Sequence, residues 1–244
     1  MEISYKGKKV LVTGAGRGIG RDLVVTLAKQ GATVYALTKT AELLQQLQKE
    51  LPSIRPVLVD LTNWEETKAA LENIEAVDHV VNNAGVAVSK PLLETTGDDF
   101  DWIFGVNVKA LLNVTQVMVK KMIAAGIQGS VINVSSVSAQ KTAPGLSVYC
   151  ASKAAVDMLT KSMANEWGQH KIRVNSVNPT IVWTDMGKQL WTDPAKSEPI
   201  LSRIPLGRFA NIDEVINAIL FIMSDKASMT TGETFLIDGG YAAR

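Results

Sequence analysis

Short runs of β-branched and aliphatic residues alternate with longer amphipathic segments along almost the whole chain. The short runs, predicted as strands, cover 9–13, 33–38, 55–59, 79–82, 130–135, 173–178 and 234–238. They are apolar almost throughout, as expected of strands covered on both faces of a parallel sheet. Between them apolar residues recur at helical spacing over 19–30, 41–51, 65–74, 98–125, 148–167 and 213–224. Asn211 followed three residues later by Glu214 reads as a helix start, because such a pair satisfies free amides of a first turn. This alternation predicts an α/β fold, a doubly wound parallel sheet of about seven strands with helices on both faces. No repeat, low-complexity tract or linker divides residues 1–244, so one domain is expected. The least regular stretch, about 183–209, carries Pro194, Pro199 and Pro205 and is too long for an ordinary connection. It is expected to be a loop that closes over a substrate.

Composition narrows the function. The net charge of +1 provides no basic excess to neutralise phosphates, so nucleic acid is not the expected partner. The pairs Lys8-Lys9 and Lys120-Lys121 read as solvated faces. The single cysteine, Cys150, permits no intrachain disulfide and fits a reducing compartment. No uninterrupted apolar run approaches the roughly 18 residues of a membrane span. Residues 1–6 lack the apolar stretch of a signal peptide, and Ala242-Ala243-Arg244 is not a peroxisomal tripeptide. A cytoplasmic protein with no membrane association is expected. His79 and His170 lack metal-ligand spacing, and no Cys/His/carboxylate cluster suggests a metal.

The first predicted strand runs into Thr13-Gly14-Ala15-Gly16-Arg17-Gly18-Ile19-Gly20. The dinucleotide fingerprint G-x-G-x-x-G does not fit, because Ile19 and Arg21 stand where its third glycine would fall. Gly14, Gly18 and Gly20 form G-x-x-x-G-x-G instead. Both patterns meet similar demands: a tight turn, close approach to a pyrophosphate, and a helix N-terminus facing negative charge. In isolation this would be a flexible turn; its place between strand one and helix one favours phosphate binding. At the end of the second strand an acid would bind the ribose of NAD, whereas cations suit the 2′-phosphate of NADP. Thr38-Lys39-Thr40 stands there, no acid occurs before Glu42, and Arg17 adds a cation from the glycine loop. NADP(H) is the expected cofactor.

Three of the four tyrosines are followed by a lysine four residues on: Tyr5 and Lys9, Tyr35 and Lys39, Tyr149 and Lys153. The first two pairs lie in or beside predicted strands, where such a spacing leaves the side chains far apart. Tyr149 and Lys153 open a helical run, where the same spacing makes them neighbours. Ser136 ends the preceding strand, so Ser136, Tyr149 and Lys153 are expected to meet at the C-terminal edge of the sheet, where open α/β sheets bind ligands. An enzyme is the expected outcome. Cys150 lies about 100° around the helix from Tyr149 and reads as packing.

From residue 8 to residue 240 the chain resembles a short-chain dehydrogenase/reductase, which implies a Rossmann-like NADP(H)-binding domain. Thr13–Gly20 resembles that family's cofactor loop, and Asn82-Asn83-Ala84-Gly85 its motif after strand four. Asn107, Ser136, Tyr149 and Lys153 fall where its catalytic tetrad lies. Asp60-Leu61 resembles the strand-three end that holds the adenine amino group. Asn178-Pro179-Thr180 resembles its Pro-Gly segment with Thr180 in place of glycine, and Gly232 with Asp238-Gly239-Gly240 its C-terminal pattern. Stretches such as Val59–Trp64, His170–Asn175, Ile204–Ala210 and Met229–Gly232 extend the likeness to the dicarbonyl/L-xylulose reductases.

The resemblance implies an NADPH-dependent homotetrameric reductase of small α-dicarbonyls and certain ketoses. It implies Tyr149 as proton donor, Ser136 holding the carbonyl oxygen, and Lys153 favouring the phenolate of a tyrosine that otherwise titrates near ~10. It further implies that Asn107 holds a relay water, and that Asn83, Ala84, Gly85 and Pro179 line the cofactor. Val182 and Thr184 are expected at the nicotinamide amide. Val137, Ala143, Leu146 and Trp191 are candidates for the substrate wall, beside Ser136 and Tyr149. Three of these four are aliphatic, and an apolar wall leaves each buried sugar hydroxyl unpaired at roughly 1–3 kcal/mol. Apolar α-diketones are therefore expected to be better substrates than L-xylulose. The alternatives are a 3-oxoacyl-thioester reductase, for which no basic docking patch is evident, and a non-catalytic NADP-binding sensor or scaffold, although both Tyr149 and Lys153 are present.

Overall fold

The computed structural model describes residues 3–184 and 192–243. Its sheet has seven parallel strands in the order β3-β2-β1-β4-β5-β6-β7. The strands are β1 (Lys9–Thr13), β2 (Thr33–Thr38), β3 (Arg55–Leu58), β4 (His79–Asn82), β5 (Ser130–Val134), β6 (Arg173–Pro179) and β7 (Thr234–Ile237). Side chains alternate between two cores, which explains the unbroken apolar runs. Val10, Val12, Val81, Ile132 and Val177 face one core, closed by α1 (Gly18–Lys29), α2 (Ala41–Glu50) and α8 (Ile212–Met223). Leu11, Val80, Val131 and Val174 face the other, closed by α3 (Trp64–Glu72), α5 (Ala110–Ala124) and α6 (Ser147–Trp167). The strand order reverses between β1 and β4, and that reversal opens a crevice at the strands' C-terminal ends.

Most predicted ends agree with the structure to within one or two residues; two segments differ in kind. The helix expected over 98–125 is α4 (Gly97–Phe104), a π-helical turn at Gly105–Lys109, and then α5. The whole run Gly97–Ala124 is long and apolar enough to cross a membrane by length and composition, yet half of that apolar window is buried inside the protein. The stretch expected to be an irregular loop contains α7 (Pro194–Leu201). Its prolines read as breakers, but Pro194 sits in the first turn, where its missing amide costs nothing. Asp193 caps that turn by accepting from the amide of Ala195 at 3.0 Å. The expected start at Asn211 is present, with a Glu214 carboxylate accepting from the Asn211 amide at 2.8 Å.

The end of the sheet away from the crevice is closed by side chains that satisfy helix C-termini. Arg173 donates to Ile222 O (2.7 Å), Met223 O (2.9 Å) and Ser224 O (3.0 Å), placing its charge at the negative end of α8. Tyr5 donates to Leu220 O and Ser130 Oγ to Met223 O at 3.1 Å. Lys121 does the same for α3, with its ammonium against the carbonyls of Leu71, Glu72 and Ile74. His79 is buried among these groups, edge-on to Tyr5. Its Nδ1 donates to Ser130 Oγ at 2.9 Å, because that hydroxyl's own hydrogen goes to Met223 O.

Burial pushes His79 down to about 4 from an ordinary value of 6.5. A histidine depressed in the folded state binds more protons when unfolded, so its contribution is complete above pH 6.5 and is lost as pH falls toward 4. The loss amounts to about 3 kcal/mol. Urea unfolding between pH 7 and pH 4 should show this slope, and His79→Gln should flatten it. An unchanged slope in that variant would contradict the assignment.

Candidate active site

The glycine loop is fastened to the neighbouring strand by two side chains. Thr13, buried at the end of β1, accepts through Oγ1 from the amides of Asn83 (3.0 Å) and Ala84 (3.1 Å). Asn83 returns the contact, with Nδ2 donating to Thr13 O (3.0 Å) and Gly14 O (3.2 Å). Gly14 has a φ of 66°, and a Cβ there would come within 2.9 Å of the Ala84 Cα. A Cβ on Gly20 would collide with the Gly14 carbonyl. These two glycines are thus required for the loop to lie against the end of β4. The Asn83 side-chain amide, expected to line the cofactor, donates to the loop backbone.

The amides that open α1 are left free to meet an anion. Arg17 at the N-cap makes no side-chain cap, and the first turn carries no acid. Arg17 is exposed, and Lys39, also exposed, lies 3.5 Å from Asp60 Oδ2. Asp60 Oδ1 accepts from the amide and hydroxyl of Thr62 at 3.0 and 2.9 Å. Partial burial raises the Asp60 carboxyl, but these hydrogen bonds and the Lys39 charge outweigh it and hold it below its ordinary range. Thr38 Oγ1 lies 3.0 Å from where a Gly16 Cβ would stand, and the Thr184 methyl 3.7 Å from where a Gly18 Cβ would stand. Both threonines therefore border the loop. Ile19 packs against the core beneath it, and Leu61 joins the opposite core. Val182 bridges to Ala210, so the chain leaving Pro179 runs past the same crevice.

On the other side of the crevice, Ser135-Ser136 directly follow the end of β5 at Val134, and α6 begins at Ser147. The Ser136 hydroxyl lies beside that of Tyr149. Lys153, one helical turn on, is only 5% exposed and donates to Val134 O at 2.9 Å. Its Nζ lies 5.7 Å from the centre of the Tyr149 ring. Asn107, 1% exposed, comes from the π-helical turn. Its Oδ1 accepts from Val86 N at 2.8 Å, and its Nδ2 donates to Val86 O (2.9 Å) and Ser152 Oγ (3.0 Å). Ser152 in turn donates to Tyr149 O at 2.7 Å. A Cβ on Gly85 would stand 3.5 Å from both Asn107 Oδ1 and Lys153 Nζ. The four residues expected to act together thus converge.

Burial pushes Lys153 down to about 8, with the charge of Asp157 working in the opposite direction. Tyr149 keeps some accessible surface, yet the surrounding protein is dense enough that desolvation raises its phenol; the bond from Ser136 opposes this. At neutral pH the pair is therefore a protonated phenol beside a largely cationic lysine. That is the state a proton donor needs. The other tyrosines have different work. Tyr5 reaches the end of α8, and Tyr35 donates to Glu75 Oε1 at 2.8 Å, a carboxylate it shares with Lys9.

Val137 is buried directly after Ser136, while Ala143 and Leu146 are half-buried on the segment entering α6. Trp191 lies outside the described residues. Among the described residues no group of three or more His, Cys, Asp or Glu could hold a metal ion. Val86, Ser152 and Asp157 support the site and went unread in the sequence, while Thr13 and Asn178 were read there only as members of motifs. Thr13 ends a strand and Asp157 follows Lys153 by one helical turn; that spacing was the available signal.

The sequence matches the family model described as enoyl-(acyl carrier protein) reductase over residues 14–242. It is 50% identical over 243 residues to L-xylulose reductase of Homo sapiens, with 100% of each chain covered. It is 47% identical over 243 residues to carbonyl reductase (NADPH) 2 of Sus scrofa, again with 100% of each covered. The fold is similar to the crystal structure of a gluconate 5-dehydrogenase from Burkholderia cenocepacia J2315 in complex with NADP and tartrate. That match has a TM-score of 0.92 at 31% identity, over 99% of this chain and 97% of the other.

The clasp between Thr13 and Asn83 makes its own prediction. Thr13→Val strands two part-buried amides at about 1 kcal/mol each, whereas Thr13→Ser keeps the acceptor. Denaturant unfolding should show a marked loss in the valine variant and little in the serine variant. Equal stability of the two would contradict the clasp.

Proposed function

The chain belongs to the short-chain dehydrogenase/reductase family and is an NADP-dependent oxidoreductase; on that premise we propose that it reduces small carbonyl compounds with Tyr149 as the proton donor. The observation that carries this reading is the convergence of Asn107, Ser136, Tyr149 and Lys153 at the C-terminal edge of the sheet. The residues present fit NADP(H): an uncapped helix N-terminus behind a closely packed glycine loop, with Arg17, Thr38, Lys39 and Thr40 at the rim for a 2′-phosphate. When bound, the dinucleotide supplies the hydride.

The chain's own residues supply the proton and the geometry. The Ser136 and Tyr149 hydroxyls lie side by side, and each can turn its hydrogen to one carbonyl oxygen. Tyr149 gives its proton to that oxygen as the carbonyl carbon is reduced. The phenolate left behind sits beside the Lys153 ammonium, which stabilises it by charge. Val134 O takes one of three ammonium hydrogens and fixes where that charge lies. Asn107 holds the backbone of Val86 and, through Ser152, the carbonyl of Tyr149, so the donor cannot drift along the helix axis.

The substrates are small α-dicarbonyls in preference to polyhydroxylated ketoses. The Val137, Ala143 and Leu146 side chains offer no hydrogen bonds to several hydroxyls. The exposed apolar side chains among the described residues include Phe100, Trp102 and Met158 on α4 and α6, and Phe221 and Leu236 on α8 and β7. Two such faces support a homotetramer with two-fold axes. The cytoplasm is the compartment that suits the single, unpaired Cys150.

Steady-state kcat/KM for diacetyl, larger α-diketones and L-xylulose, each with NADPH and NADH, tests this function. The expected result is a strong preference for NADPH and higher efficiency with the diketones. Equal use of both cofactors, or an L-xylulose value above every diketone, would contradict the corresponding part.

A further inference from the structure

The sheet face beneath α5 and α6 changes character toward its C-terminal edge. Asn82, Asn133, Ser176 and Thr234 are register partners across β4, β5, β6 and β7, forming one polar row. Asn82 donates to Thr115 and Asn133, and Asn133 to Thr160, so each helix meets the row with a hydroxyl. Three acceptor oxygens in this layer are buried without a donor among the described residues: Asn82 Oδ1, Asp157 Oδ1 and Asn178 Oδ1. Unpaired buried acceptors are uncommon and call for a reason. Asp157 is the charged member, one helical turn beyond Lys153 on α6.

Two contacts tie Asp157 to the reacting groups. Asn178 is fully buried and donates through Nδ2 to Asp157 Oδ2 (2.8 Å) and to Ser136 O (2.9 Å). Both partners are acceptors, so the amide cannot be turned over without losing both bonds. The carboxylate thereby fixes the backbone of the residue whose hydroxyl holds Tyr149. The second contact is electrostatic. The elements packed around Lys153 present Gly85, Asn107, Val134, Ser135 and Asn178, none of them ionisable. On its own helix the Tyr149 phenol is held protonated by desolvation, and Asp157 is the charge acting on the lysine. Burial raises the Asp157 carboxyl, while hydrogen bonds from Ser135, Asn178 and Ser176 and the Lys153 charge oppose that rise.

We propose that Asp157 is a positioning residue of the carbonyl reduction, holding Ser136 through Asn178 and supplying the internal counter-charge for the Lys153 ammonium. The inference rests on the catalytic reading given above. A leucine would fill the same place at less desolvation cost, so packing alone does not account for a carboxylate there.

The test is the pH dependence of kcat for NADPH-dependent diketone reduction by wild type, Asp157→Asn, Asp157→Glu and Asn178→Ala, with folding checked by circular dichroism. Asp157→Asn keeps shape and an acceptor but removes charge. Its alkaline limb should move about one pH unit lower, with KM for the diketone little changed, and Asp157→Glu should return the limb toward wild type. Asn178→Ala, which keeps the charge and breaks the link to Ser136, should lower kcat several-fold with the limb in place. An unmoved limb in Asp157→Asn overturns the electrostatic role, and a wild-type kcat in Asn178→Ala overturns the link. If Asp157→Asn does not fold, an Asp157→Glu limb displaced below wild type by more than the Asp157→Asn expectation overturns the proposal, and one near wild type supports it. A wild type without carbonyl reductase activity sinks the functional reading itself, whereas an active wild type with unmoved limbs sinks this inference alone.

Discussion

A lysine ammonium with 5% of its surface exposed must find its solvation inside the protein, and Lys153 finds it at the end of β5. An isolated charge there would cost several kcal/mol. Val134 O accepts one hydrogen, and the helix places Asp157 one turn away. The requirement orders much of the surrounding structure. β5 has to stop where its carbonyl can turn to the ammonium, which leaves Ser136 beside Tyr149. Gly85 accommodates the close approach of Lys153 and Asn107, and the polar layer beneath α6 supplies acceptors that an aliphatic core would lack.

Four consecutive residues after β4 join the two halves of the crevice. Asn83 and Ala84 are bound by Thr13, which fixes the glycine loop. Gly85 faces Lys153 and Asn107, and both backbone groups of Val86 are bound by Asn107. The glycine-loop side and the Tyr149 side of the crevice therefore share one short segment that is bonded at both ends.

The sheet, its helical layers and the convergence of Ser136, Tyr149 and Lys153 were legible because each leaves a local trace. Buried parallel strands are continuous apolar runs, and a lysine four residues after a tyrosine is informative once it falls on a helix. Tyr5 and Tyr35 carry the same spacing and serve elsewhere, at the end of α8 and against Glu75, because their strands keep tyrosine and lysine apart. What was illegible depends on contacts between distant segments. The π-helical turn around Asn107 differs from an α-helix by one hydrogen-bond step, which side-chain periodicity does not record. Helix α7 begins at a proline that sequence patterns equate with a break. Thr13, Asn178 and Asp157 are ordinary residues until the fold sets them against Asn83, Ser136 and Lys153.

The central claim is that Tyr149 delivers the proton, so the most direct measurement is single-turnover hydride transfer from NADPH to a diketone in Tyr149→Phe, with Tyr5→Phe and Tyr35→Phe as controls. The account predicts near-complete loss of transfer in Tyr149→Phe with NADPH binding largely retained, and near-normal transfer in the two controls. Transfer at a near-normal rate in Tyr149→Phe would contradict it.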